Sequence, residues 1–214
     1  NEEKDAGARR AAAQRDLGAA QRRRQQVAAE RDPAPSEPVW GRDARDRSDG
    51  AAFWQLVDFS ETLGSDDRAG IEAALESSGL LDAWVRADGA VLAADRRDVV
   101  LAAGPAAAGG PTLADVLVAD PPPDAPVAVE VVRGVLARIS LGTGSPAAVD
   151  TDGSWRLGPL TGRSAKPVAQ YIGATARSAE RLRRLAELDE LITMTTVVRD
   201  DPASPEESAR PAAV

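Results

Sequence analysis

The first 31 residues contain no proline and are built largely from Ala, Arg, Gln and Glu, all good helix formers, so they predict one helix over 1–31. Ala6, Arg10, Ala13, Leu17, Ala20, Arg24 and Val27 recur at alternating spacings of four and three, the pattern of a heptad seam. The seam is thin: three of its seven positions are alanine and two are arginine. A helix this polar is marginal in water on its own and needs a partner. That need constrains the rest of the chain, because a second helix with a matching stripe has to return alongside it. The stretch DPAPSEP, from Asp32 to Pro38, stops the first helix.

The matching stripe lies near the other end. Pro167 is placed to start a helix through Ile192, on which Leu182, Leu185, Leu188 and Ile192 form the second seam. After Ile192 the apolar periodicity lapses into a segment rich in Pro, Ser and acids, and residues 193–214 are expected to be disordered. Between the helices, residues 32–50 read as a linker and residues 51–166 carry most of the large apolar side chains. The expected fold class is α+β or α/β: a small globular domain inserted between two antiparallel coiled-coil helices, 1–31 and 167–192.

Inside that domain the pattern places a short strand or helix at AAFWQLVDF, from Ala51 to Phe59. Ser65 reads as the cap of a helix ending near Gly79, with Asp66 and Asp67 favourably placed in its first turn. A strand is expected over Asp98–Ala103 and a short helix from Thr112 to Leu117. A further helix is expected to follow Pro126 and run to about Ile139. Ala147–Val149 and Ser154–Leu157 read as a hairpin. The expected core comprises Trp54, Phe59, Ile71, Leu75, Leu81, Trp84, Val99, Leu101, Leu113, Leu117, Val131, Val135, Ile139 and Trp155.

Composition excludes several chemistries. The chain has neither Cys nor His, which removes disulfides, thiolate nucleophiles, Cys/His zinc sites and any Ser–His–Asp triad. A net charge of −8 over 214 residues argues against a globally basic nucleic-acid binder, though local patches remain available. No run of eighteen apolar residues occurs, and the opening NEEKDAGARR lacks both the apolar core of a signal peptide and an initiator Met. The expectation is a cytoplasmic piece of a longer protein, without membrane contact.

The stretch RLGPLTGRSAKPVAQYIG, from Arg156 to Gly173, invites a test for phosphate binding. A Walker-type loop needs four residues between its glycines, followed by Gly-Lys-Ser/Thr, so that successive N–H groups turn inward. Here Gly158 and Gly162 enclose three residues, one of them Pro159, which has no N–H, and Arg163 stands where the lysine belongs. The stretch therefore reads as a joint: Gly158 and Gly162 turn the backbone and Pro167 starts the outgoing helix. No bound cofactor or metal is expected. Asp58, Glu61, Glu72, Glu76, Asp82 and Asp98 are available for acid–base work, but no pair of them has a spacing that demands catalysis.

The basic residues fall into clusters: Arg22, Arg23 and Arg24 late in the first helix, Arg163 and Lys166 in the joint, and Arg177, Arg181, Arg183 and Arg184 early in the last helix. If the helices are antiparallel, these clusters meet near the domain and could contact DNA phosphates. The competing reading is a solvated, salt-bridged helix pair in which Glu180, Glu187 and Glu190 neutralise the arginines.

A globular insert between two helical arms resembles the hinge of SMC-type ATPases. RAGIEAALESSGLLDAWVRADGAVL, from Arg68 to Leu92, is similar to the start of such hinges, and DTDGSWRLGPLTGRS, from Asp150 to Ser164, to their end. More closely, LVDF, GIEAALESSGLLDAWV and the run from WRLGPLTG through KPVAQYIGATAR to RLRRLAEL resemble the MukB-like large subunit of Wadjet-type anti-plasmid systems, over roughly residues 51–192. The resemblance implies a hinge that joins two long subunits as a homodimer, while weak DNA contact is expected from the basic clusters. It also implies that ATP is handled by head domains elsewhere, so that this chain is not itself an enzyme. Two other classes stay open: a free-standing coiled-coil adaptor whose insert binds a protein partner, and a nucleic-acid enzyme with an unrecognised carboxylate site.

Overall fold

The computed structural model describes residues 2–29, 33–37, 41–91, 96–142 and 144–200, with side chains from residue 7 onward. The chain divides into two units, Asn1–Pro33 with Ser178–Val214, and Ala34–Arg177.

The first unit pairs helix α1 (Glu2–Ala29) with helix α4 (Ala174–Asp200). Arg10 donates to the Arg199 carbonyl at 3.3 Å, Arg24 clasps Asp189, and Arg181 donates to the Ala28 carbonyl. Positions that rise along α1 meet positions that fall along α4, so the helices run antiparallel. On α1 the expected seam is the buried one: Ala13, Leu17, Ala20 and Val27 are all buried, while Arg10 is exposed and Arg24 half-buried.

On α4 the expected stripe needs correction. Leu185, Leu188 and Ile192 are half-buried, but Leu182 is 68% exposed. Two consecutive steps of three, from 188 back through 185 to 182, fall behind a turn of about 3.6 residues and carry Leu182 off the face. Arg181, one position earlier, takes its place. The helix also continues through Asp200, beyond the expected stop at Ile192. Thr193, Thr195 and Thr196 would otherwise compete with the helix backbone. Each returns its hydroxyl to the carbonyl four residues back, at 2.7–2.8 Å, and so stays inside it. The expected disorder beyond residue 200 lies outside the described residues, as do residues 30–32 at the end of the first helix.

The second unit is a mixed α+β fold. Strand β1 (Gly50–Ala52) pairs antiparallel with β3 (Trp84–Arg86), and β2 (Val57–Phe59) with β4 (Leu117–Ala119). A four-stranded sheet runs β5 (Ser140–Leu141), β6 (Ala147–Val149), β7 (Ser154–Leu157), β8 (Leu160–Arg163), with β5 and β6 parallel and the other pairs antiparallel. Helices α2 (Ser65–Ser77) and α3 (Val129–Leu136) complete the unit. The apolar burst at 51–59 splits into β1, a 3-10 turn over Phe53–Gln55, and β2. Phe53, Leu56, Ile71, Leu75, Leu81, Leu113, Leu136 and Ile172 are its most deeply buried large apolar side chains.

Several local expectations change: Ser65 lies inside α2, whose cap position is Gly64 with no side-chain hydrogen bond, and α3 spans Val129–Leu136, so that Pro126 precedes it and it stops short of Ile139. The helix expected at Thr112–Leu117 is a 3-10 turn, Leu113–Asp115, and Leu117 already belongs to β4. Thr112 does cap it, accepting from the Ala114 amide at 3.3 Å. The strand expected over 98–103 reduces to a single bridge between Val100 and Trp84, so no alternating face is sustained and Val99 is 41% exposed. The rest of the expected core is buried or, for Leu101, Val131 and Trp155, packed against it half-buried. The last change, the start of α4, follows from the joint that precedes it.

Candidate functional site: the joint at Glu72

The joint begins as a hairpin. β7 reverses into β8 through Gly158 and Pro159, and Gly158 takes φ +58°, a left-handed conformation that favours glycine. Gly162 does not turn the chain, contrary to expectation. It lies in β8 directly opposite Trp155, and a Cβ there would sit 2.5 Å from the indole ring. Its missing side chain is the space the tryptophan occupies.

Beyond β8 the backbone from Ser164 to Gly173 forms neither strand nor helix. It is fastened instead to one side chain. Glu72 of α2 is fully buried, and its carboxylate accepts from the backbone amides of Gln170 (2.6 Å), Tyr171 (2.9 Å) and Ile172 (2.9 Å). The Lys166 ammonium donates to the same carboxylate at 2.8 Å, reaches Glu76 at 2.8 Å, and lies 4.6 Å from the centre of the Tyr171 ring. Only 10% of the Lys166 side chain is exposed. Burial pulls its pKa down, but the charges and hydrogen bonds of Glu72 and Glu76 outweigh this and hold it above the ordinary lysine value.

This arrangement explains why α4 begins at Ala174 and not at Pro167. In a helix begun at Pro167 the amides of Tyr171 and Ile172 would donate to the carbonyls four residues back, whereas here they donate to Glu72. It also bears on the phosphate question. The stretch does present successive N–H groups to an anion, but that anion is the protein's own glutamate. Among the available carboxylates, the sequence offered a sign for Glu72: it stands between Ile71 and Ala73 on the stripe that also carries Leu75, where a charge has to be compensated.

A second ionic cluster lies in the same unit. Arg45 bridges Asp82 (3.3 Å) and Asp98 (2.6 Å) and lies 4.9 Å from the centre of the Trp84 ring, while Arg42 also pairs with Asp82. Arg45, Asp82 and Asp98 line a cavity of about 260 Å³ whose walls also include Leu81, Val99, and Ser78 and Gly79 just past the end of α2. Asp82, Asp98, Glu72 and Glu76, four of the carboxylates considered for acid–base chemistry, are thus each bound to a cation. Asp58 accepts from the Phe59 amide at 2.6 Å, and Glu61 is exposed. Among the described residues, no group of three or more carboxylates is placed to hold a metal ion. No described helix is long and apolar enough to cross a membrane.

The basic residues fall in both units. Arg22 and Arg23 on α1 are exposed, and Arg24 is paired with Asp189. On α4, Arg183 pairs with Glu180 at 2.7 Å and with Glu187, Arg184 pairs with Glu180 at 3.0 Å, and Arg181 is bonded to the Ala28 carbonyl. Glu180 is buried, and its hydrogen bond to Arg183 leads the effects that hold its pKa below the usual glutamate value. In the α+β unit, Arg163 pairs with Asp152 at 3.3 Å, Lys166 is spent on the joint, and Arg177 donates to the Tyr171 carbonyl and lies 5.8 Å from the centre of the Trp54 ring. Pro167 is exposed and lies in the joint, seven residues before α4. The expected phosphate surface is therefore largely committed to internal ion pairs. Compared with protein-family models, curated proteins and solved structures, the chain has no match.

Proposed function

We propose that this chain is the hinge portion of an SMC-like, MukB-like ATPase of the kind found in Wadjet-type anti-plasmid systems. In this reading the α+β unit joins two long subunits and the α1/α4 pair is the root of the arm. The observation that carries the reading is the antiparallel pairing of helices from opposite ends of the chain, tied by Arg24–Asp189 and Arg181–Ala28, with the whole α+β unit between them in sequence. A single subunit that goes out along an arm and returns needs that layout. The Glu72 joint supports the same reading, since it makes the stretch before α4 a mechanical attachment.

The domain self-associates in this proposal, and β8 offers a surface for it. β8 is a terminal strand of the four-stranded sheet, with Leu160, Thr161 and Arg163 exposed. An open strand edge is a ready template for a second strand, including its own symmetry mate. Contact with duplex DNA is weak in this proposal. Arg22 and Arg23 are exposed, but Arg24, Arg181, Arg183 and Arg184 would have to leave protein acceptors to meet phosphates. ATP is neither bound nor hydrolysed by this chain, which functions in the cytoplasm.

Sedimentation equilibrium across micromolar concentrations tests the reading, with a reversible dimer expected and a monomer at every concentration contradicting it. Fluorescence anisotropy with duplex DNA at low salt tests the weaker contact, which should fall steeply as salt rises.

A further inference from the structure

We propose that the segment from Lys166 to Gly173 is a latch. It seats and unseats on Glu72 as a unit and carries the first turn of α4 with it, while the remainder of the α+β unit stays folded. The inference does not depend on the hinge reading.

Three observations carry it. First, the segment has no regular structure of its own. The described backbone bonds nearest it are Ser164 to the Gly153 carbonyl before it, and Arg177 to the Gly173 carbonyl after it. Its polar fastening converges on Glu72, which takes three adjacent amides and the Lys166 ammonium. Second, the ionic partners are arranged so that release leaves no lone buried charge. Lys166 sits on the moving segment, its second acceptor Glu76 is partly exposed, and the leaving segment opens Glu72 to water. Breaking one side of a buried pair is costly chiefly when the other charge stays buried and unmatched. Third, the apolar grip of the segment on the core rests mainly on two buried side chains. Tyr171 and Ile172 are buried and Ala169 packs half-buried on the core, whereas Pro167 and Val168 are exposed.

The first turn of α4 depends on the seated state. The Arg177 guanidinium donates to the Tyr171 carbonyl and lies over Trp54, so its position is set by the segment that Glu72 holds. The pairing of β6 with β7 and of β2 with β4 uses no residue of the latch. Local openings of this kind have free energies below that of global unfolding and show themselves in amide exchange.

Native-state hydrogen exchange by NMR on the full chain, in rising denaturant, tests the proposal. The amides of Gln170, Tyr171 and Ile172 should share one opening and exchange at least about 10-fold faster than those of β6 and β7. In Glu72→Gln, which keeps the size but loses the charge, the same three amides should speed up by at least about 100-fold and remain faster than those of β6 and β7. Exchange of all these amides in step in the wild type overturns the latch. So does a Glu72→Gln variant that leaves residues 170–172 as protected as in the wild type, or in which they exchange in step with β6 and β7. If that variant does not fold, the wild-type series alone decides.

Discussion

The Lys166 ammonium and the Glu72 carboxylate meet at 2.8 Å although 94 positions separate them in the chain. Nearly every other cation in this sequence is arginine. A compact ammonium fits between Glu72 and Glu76 beside the Tyr171 ring, where a planar guanidinium needs more room and a different set of acceptors. Lys166→Arg is therefore not conservative and should destabilise the protein by about 1–3 kcal/mol through overpacking. Glu72→Gln should cost about 3–5 kcal/mol, because it leaves amides and an ammonium facing a neutral group. Urea denaturation of both variants, followed by tryptophan fluorescence, measures the difference.

Gly162 gives a steric test of the same joint. A methyl group there collides with the Trp155 indole, so Gly162→Ala should cost about 1–3 kcal/mol and shift the tryptophan emission. A denaturation midpoint equal to that of the wild type would show that the indole has room to move.

The helix pair predicts an asymmetry between two leucines one helical face apart. Leu182→Ala should fall within about 0.5 kcal/mol of the wild type, because the side chain is exposed. Leu188→Ala should cost more, about 1–2 kcal/mol, a reduced share of the 2–5 kcal/mol seen for closed cores because the site is half-buried. Helicity followed by circular dichroism on heating distinguishes them.

Acid should weaken α4 around Glu180, which accepts from Arg183 and Arg184 of the same helix. The pKa of Glu180 is lower in the folded chain than its ordinary value, first through its hydrogen bond to Arg183. The folded state thus binds that proton less readily than the unfolded state. Its stabilisation is complete above the ordinary glutamate value and is lost as pH falls through the folded one. Glu180→Gln should flatten the acid limb of a stability-against-pH curve below about pH 4.5 and leave the neutral limb at a lower plateau.

Much of the layout was legible in the sequence because it rests on periodicity. The α1 seam at Ala13, Leu17, Ala20 and Val27, the hairpin at 147–157 and the helix near 65–77 are patterns of three, four and two that short-range sterics enforce. What was not legible depends on distant partners. The start of α4 is displaced to Ala174 by a carboxylate on α2, and Pro167 carries no trace of that. Gly162 resembles a turn glycine, and its actual role is visible only once Trp155 lies across from it. For the arginines, Glu180 and Glu187 stand at helical spacing and were legible as partners of Arg183 and Arg184, but Asp189 beside Arg24 and Asp152 beside Arg163 were not.

The central claim is that the α+β unit joins two copies of the chain, and the open edge of β8 allows a direct test. Ser164 donates inward to Gly153, so alternation along β8 turns the Thr161 N–H outward, away from β7. Thr161→Pro removes that donor from the free edge and costs the β7–β8 ladder no hydrogen bond. Sedimentation equilibrium of the two proteins side by side, with near-ultraviolet circular dichroism to show that both are folded, is the measurement. The account predicts a reversible dimer for the wild type and a dissociation constant raised at least about 10-fold for Thr161→Pro, a shift of about 1.4 kcal/mol. A folded wild-type chain that stays monomeric at every concentration would contradict it.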